Sequence, residues 1–190
     1  MRKNSTASPH EHLVTQANRL IESRHCLSVT EQRVVAMMVA AVSPDDEDFK
    51  PYSLKVSDLL NLLPAEKQGG LYERIESAAT SLLEKPLRID EEDGPLWVNW
   101  LSSVKYYDGE GTVTLSFDPH LKPYLLQLKE RFTSYGLENV VRLQSRYSVR
   151  IYELLKQYEN LGKRTFDLPD LRGKLALEDS EYKRWQDFRR

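Results

Sequence analysis

The sequence predicts an α+β chain in which helices precede and follow a small antiparallel sheet, and three observations carry that reading. Residues 52–84 read as strand, helix, turn, helix, the order of a helix-turn-helix unit. Residues 86–117 then hold strand-like runs separated by EEDG and DGEG, turns whose glycines suit hairpins. Further on, RYSVRIYELLKQY (Arg146 to Tyr158) places Tyr147, Ile151, Leu154, Leu155 and Tyr158 at helical spacing as one apolar stripe. Arg146, Arg150, Glu153 and Gln157 form a second stripe, and Ser145 stands where an N-cap belongs.

Taken in order, residues 1–12 are polar and read as a tail. Val14 to Arg24 is short and mixed, a strand or a helical turn packed on the body. Thr30 is the expected cap of a helix from Glu31 to about Ala41. Its VVAMMVAAV run is uncharged and free of proline, which suits a helix buried on all sides. Asp45 to Pro51 is an acidic loop. Tyr52 to Val56 alternates like a strand, and Ser57 is placed to cap Asp58–Leu63 before Pro64. After Gln68-Gly69-Gly70, a helix from Leu71 to about Glu84 turns Leu71, Ile75, Ala78, Ala79, Leu82 and Leu83 inward.

Pro86–Asp90, Leu96–Tyr106 and Gly111–Phe117 are the expected strands. The second, LWVNWLSSVKY, is read as one long ribbon. Trp97, Trp100, Val104 and Tyr106 give it either a packing face or a dimer-forming edge. Asp118-Pro119 supplies a cap and an N1 proline for a helix to about Lys129. Phe132–Tyr135 reads as a strand and Leu137–Leu143 as a short helix. After the Arg146 helix, Gly162–Phe166 is expected as a turn and short strand. Asp167 should cap Leu168–Leu175, with Asp170 completing a variant capping box. The last ten residues, EYKRWQDFRR, begin another helix.

The totals fit a soluble globular protein: 190 residues, 40% hydrophobic and 29% charged, enough for one sizeable domain or two small ones. No apolar run approaches the ~20 residues that span a bilayer, and the amino terminus has no apolar signal core, so a cytoplasmic chain is expected. The single cysteine, Cys26, excludes an internal disulfide and a multi-Cys zinc site, and reads as a small buried hydrophobe. The net charge of −2 conceals a split, because residues 1–141 hold 15 Lys/Arg against 21 Asp/Glu whereas residues 142–190 hold 12 against 8. A basic carboxy-terminal segment is the footprint that a nucleic-acid-binding part leaves.

Catalytic constellations are not found, and no cofactor is implied. His10-Glu11-His12 sets a glutamate between two histidines in a polar tail, unlike the strand-borne pairs of metal-dependent nicking enzymes. Tyr147, Tyr152 and Tyr158 lack an assembled metal or Arg/His cluster beside them. There is no GxxxxGK[ST] phosphate loop. Asp90–Asp93 reads as a hairpin turn whose adjacent carboxylates are not spaced for two metals. What remains is the basic set Arg146, Arg150, Lys183, Arg184, Arg189 and Arg190, placed on or beside expected helices where they can neutralise phosphates or read guanine.

These stretches carry a family resemblance. VTQANRLIES, LSVTEQRVVAMMVAAV, FDPHLKPYLLQLKERFTSY, SRYSVRIYELLKQY, FDLPDLRGKL and YKRWQDFRR stand in the order and spacing of the initiator replication proteins of iteron-containing plasmids, over about residues 14–190. That resemblance implies two winged helices in tandem. Residues 13–142 would be the first, dimerising and supporting DNA-backbone contacts, and residues 143–190 the start of the second, the main reader of the repeat. It implies double-stranded origin DNA as partner, a homodimer that represses its own gene, and contacts with the host replication initiator and helicase. In the family the recognition helix and a wing continue past the position of Arg190, so a fragment or a shortened product is expected. With that helix absent, Leu154, Leu155 and Tyr158 should be incompletely covered. A dimerisation fragment with little DNA affinity is the competing expectation.

Overall fold

The computed structural model describes residues 13–43, 46–62, 70–107, 111–177 and 181 (of 60–62, the backbone only). The chain enters through β1 (Leu13–Ala17) and the short α1 (Asn18–Ile21), then runs into α2 (Val29–Ala40). Residues Val34 to Val39 of α2 are all buried, so this helix has no solvent stripe in its middle, as its apolar run predicts. Its cap is Ser28 and not Thr30. The Ser28 Oγ accepts from the Glu31 backbone N–H at 3.3 Å, and the Glu31 carboxylate accepts from the Ser28 N–H at 2.6 Å, a complete capping box. Lys85 Nζ adds an ion pair at 2.8 Å to the same carboxylate.

Next come β2 (Tyr52–Lys55), α3 (Val56–Leu62) and α4 (Leu71–Ser81). Helix α3 begins directly from the strand at Val56, two residues earlier than a Ser57 cap allows. Gly70 precedes α4 at φ +61°, a left-handed turn that favours glycine. Leu71, Ile75, Ala78, Ala79 and Leu82 are buried as expected, whereas Leu83 is half-buried.

The strands that follow are β3 (Pro86–Asp90), β4 (Pro95–Asn99), β5 (Leu101–Tyr107) and β6 (Thr112–Phe117). The expected single ribbon is broken at Trp100. β4 pairs with β3 alone, while β5 joins a second antiparallel sheet in the order β2-β6-β5. The reason is local: the Asn99 side-chain amide donates to Leu83 O at 2.9 Å, and the Trp100 side chain turns into the core, so the chain changes sheets there.

After a 3₁₀ turn capped by Asp118, α5 (Lys122–Leu125) stops short of Lys129. Leu126 becomes extended and is buried, and Gln127 adopts φ +51°. The chain then returns as β7 (Phe132–Gly136), pairing antiparallel with β1 over Leu13–Gly136 to Ala17–Phe132. The remaining elements are α6 (Leu137–Arg142), α7 (Arg146–Lys156) and α8 (Leu168–Lys174). No strand forms among residues 163–167. Asp167 makes no side-chain cap bond, and Asp170 pairs with Lys174 at 2.5 Å and does not complete a capping box. One core runs through all of these elements up to Val149 of α7.

Candidate nucleic-acid interface

Helix α7 carries the first two basic candidates, and its burial decides between them. Ser145 Oγ accepts from the Tyr147 N–H at 3.3 Å, so the expected cap is formed. The inward face is Val149, Arg150 and Leu154, rotated from the apolar stripe that the spacing suggested. Ile151 and Leu155 face solvent, Leu155 at 46% exposure. Of the positions expected to be uncovered, Leu155 is, Tyr158 is half-buried under the Arg164 guanidinium, and Leu154 is fully buried.

Arg150 is a correction. Its residue is 3% exposed, and its Nη2 donates to Ile21 O at 2.7 Å and Ser23 O at 2.8 Å, while Nη1 pairs with Glu153 at 2.8 Å. Those carbonyls belong to the end of α1, where helical acceptors lack intrahelical partners. Glu153 in turn accepts from the buried Tyr135 hydroxyl at 2.7 Å and from Gln16 at 3.2 Å. Burial, and then the Glu153 charge, hold the Tyr135 phenol well above its ordinary range and therefore neutral. Arg150 is thus committed to holding α7 on the body, and its burial keeps the guanidinium out of reach of a phosphate. Val149 of α7 lies in the same buried core as the elements before it.

Arg146 stays at the surface. Its guanidinium donates to the Tyr147 hydroxyl at 2.6 Å and to Cys26 Sγ at 2.9 Å, and lies 3.6 Å from Glu181. Cys26 is exposed, contrary to its reading as a buried hydrophobe, because it sits between buried His25 and Leu27 with its side chain on the outer side. Lys183, Arg184, Arg189 and Arg190 lie outside the described residues.

Among the described residues after 142, part of the positive charge is held in ion pairs. Lys156 pairs with Glu159 at 2.7 Å, Arg164 with Glu22 at 2.7 Å, and Lys174 with both Glu22 and Asp170. Arg164 also donates to Leu154 O at 2.8 Å and stacks on Tyr158 and Phe166. Glu22, read only as part of a mixed opening segment, is the acid that staples the chain after α7 back to the body. No spacing marks it, because its partners stand more than 130 residues away.

The four dimer candidates separate as well. Trp97 on β4 is 63% exposed, and Val104 and Tyr106 on β5 are half-buried. Tyr106 donates to Glu76 O at 2.6 Å, which ties β5 to α4. Trp100 is 2% exposed and packs edge-on against His25, so its side chain cannot form part of an outer edge. Among the described residues no group of three or more His, Cys, Asp or Glu could hold a metal ion, and no helix is long and apolar enough to cross a membrane.

Comparison with known proteins places this geometry. The family described as Initiator Replication protein, WH1, matches residues 13–156. The chain is 24% identical over 195 residues to an uncharacterised 27.6 kDa protein of Escherichia coli, covering 93% of this chain and 80% of that one. It is 30% identical over 155 residues to a replication initiation protein of Escherichia coli, covering 77% of this chain and 48% of the relative, so it spans about half of that protein's length. Its fold is similar to the crystal structure of the Pi initiator protein in complex with iteron DNA, with a TM-score of 0.71 at 19% identity, over 88% of this chain and 73% of that one. The winged-helix arrangement of helices and small antiparallel sheets is therefore the fold of the described chain.

Proposed function

Because the chain belongs to the initiator replication protein family, we propose that it acts in plasmid replication by binding origin iteron DNA and remodelling it, and not by catalysis. The observation that carries this reading is the extent of the family match, which takes in the whole winged helix and α7. The replication initiation protein of Escherichia coli and the DNA-bound Pi initiator, as relatives in sequence and fold, support it. On this reading Arg146 contacts phosphate beside the capped start of α7, and Lys183, Arg184, Arg189 and Arg190 belong to the DNA-binding set. A dimer would form through the Trp97 side of the β3–β4 hairpin and repress the chain's own gene. The host replication initiator and helicase are the further partners.

A gel-shift titration against iteron and scrambled duplexes tests the reading. Tighter binding to the iteron supports it. Equal, weak and strongly salt-dependent binding to both removes sequence-specific recognition by this chain.

A second reading, a dimerising protein-interaction unit with little DNA affinity, draws on two observations. The basic residues between 150 and 174 are mostly engaged in ion pairs, and Trp97, Leu155 and Leu161 leave large apolar side chains exposed. Sedimentation with and without DNA separates the two, since a stable dimer that ignores DNA belongs to the second.

A further inference from the structure

Four polar atoms buried inside the molecule find no hydrogen-bond partner among the described residues: His25 Nδ1, Gln32 Oε1, Trp100 Nε1 and Arg150 Nε. They come from four separate places in the chain, namely the connection between α1 and α2, α2 itself, the break between β4 and β5, and α7. None of the four residues is more than 8% exposed, and all of them line one cavity of about 20 Å³. A buried donor or acceptor left unpaired carries its full desolvation cost, so four around one space point to a shared partner.

The other bonds of these side chains fix what each free atom can offer. Gln32 Nε2 donates to Leu27 O at 3.1 Å and to Arg146 O at 3.3 Å, which leaves the amide oxygen as the unpaired acceptor. Arg150 Nη1 and Nη2 hold Glu153, Ile21 and Ser23, and Nε–H is the nitrogen donor left over. The Trp100 indole nitrogen can only donate. His25 is neutral, since burial and then the Arg150 charge depress its pKa, and a neutral ring nitrogen accepts when the proton sits on the other one. Tyr135, Gln16 and Glu153 also line the cavity, but they are bonded to one another and, through Glu153, to Arg150.

Roughly 10–15 Å³ is enough for one water, and a buried water needs two to four polar partners. We infer that this cavity is the binding site of one structural water, which accepts from Trp100 Nε1–H and Arg150 Nε–H and donates to Gln32 Oε1 and His25 Nδ1. Two hydrogens and two lone pairs meet two acceptors and two donors, so nothing on either side is left over. A chloride would leave Gln32 Oε1 unpaired, and an ammonium would leave both N–H groups unpaired. The same balance sets the His25 tautomer, with its proton on Nε2. The water joins α7 to α2 and to the point where the chain changes sheets, a second link beside the Arg150–Glu153 pair. It concerns how α7 is held and is independent of the DNA-binding reading.

The test is a high-resolution crystal structure of the chain, joined to water-selective NOE and ROE spectra and a long-range proton–nitrogen spectrum of the nitrogen-15-labelled protein. The expected density is one water oxygen about 2.7–3.2 Å from all four atoms. The Trp100 indole N–H should show a cross-peak to water whose NOE and ROE are opposite in sign, the mark of a water that tumbles with the protein and not of hydrogen exchange. His25 should show a protonated Nε2 and an unprotonated Nδ1. A cavity without density, a peak whose anomalous signal makes it chloride, or side chains repacked to bond one another would each overturn the inference. So would a density peak with no matching cross-peak, which confines the water to the crystal, or a His25 proton on Nδ1.

Discussion

Arg150 and Glu153, one turn apart on α7, form a 2.8 Å ion pair whose two side chains are 4% and 12% exposed. Buried pairs contribute little net stability when intact, yet removing one partner strands the other. Here the loss would also uncover the carbonyls of Ile21 and Ser23. Arg150→Ala is therefore expected to destabilise the chain by about 3–5 kcal/mol, read by urea unfolding. Arg146→Ala, at the surface of the same helix, should change stability by no more than about 0.5 kcal/mol. In DNA binding the order reverses: Arg146→Ala lowers the salt slope by about 1, whereas Arg150→Gln, under conditions where it is folded, leaves it unchanged. A slope that falls for Arg150→Gln and not for Arg146→Ala would return Arg150 to the phosphate-contacting set.

His25 gives the fold a pH dependence. Burial first, and then the neighbouring Arg150 charge, hold its folded-state pKa well below the ordinary 6.5. Besides Arg150, the groups around the same small cavity are Gln16, Gln32, Trp100, Tyr135 and Glu153. The unfolded chain binds a proton near pH 6.5 that the folded chain refuses, so stability is full above that pH and falls as pH drops toward the folded value. The slope contributed by one such group is at most about 1.4 kcal/mol per pH unit. Urea unfolding of the wild type and His25→Gln between pH 5 and 8 should show this added slope in the wild type alone. Equal slopes in both proteins would mean that His25 is not buried in the neutral form.

The cap of α2 separates two adjacent hydroxyls. Ser28→Ala removes an acceptor for the Glu31 N–H and is expected to cost about 1 kcal/mol, while Thr30→Ala, one residue inside the helix start, should be close to neutral. Thermal unfolding of the two variants decides this, and a larger loss at Thr30 would move the helix start to where simple cap spacing put it.

That case also shows what was legible in the sequence. Ser28 and Glu31 spell the S-x-x-E signature of a capping box, so the cap at Ser28 is written in the sequence two residues before the hydroxyl of Thr30. Strands with strict alternation, such as β6, and helices with a clean apolar stripe, such as α4, come out as expected because one face is buried along their whole length. Helix α7 does not, because the residue that seats it is an arginine. Its burial depends on carbonyls at the end of α1 and on a carboxylate one turn away, and only the second of these is visible as spacing. Part of the charge split has the same long-range origin. Composition counts Arg164 and Lys174 as surplus, whereas folding hands both of them to Glu22, far earlier in the chain. The break at Trp100 was hidden since strand propensity runs through it unbroken. A change of sheet is set by where the side chain finds its cavity.

The two tryptophans of that broken ribbon make opposite predictions. Trp100 is sealed in the core against His25, so Trp100→Ala should lower stability by about 3–5 kcal/mol. Trp97 stands in solvent opposite Arg88 on the β3–β4 hairpin, and Trp97→Ala should change monomer stability by about 0.5 kcal/mol or less. If Trp97 anchors the proposed dimer, the same variant shifts sedimentation toward the monomer, because a large aromatic at an interface supplies a disproportionate share of the binding energy. Acrylamide quenching in a Trp185→Phe background gives a check without mutation at either site: one accessible and one protected tryptophan in the monomer, with the accessible one becoming protected as the concentration rises. Unchanged sedimentation of Trp97→Ala, with quenching independent of concentration, would take the β3–β4 hairpin out of the dimer.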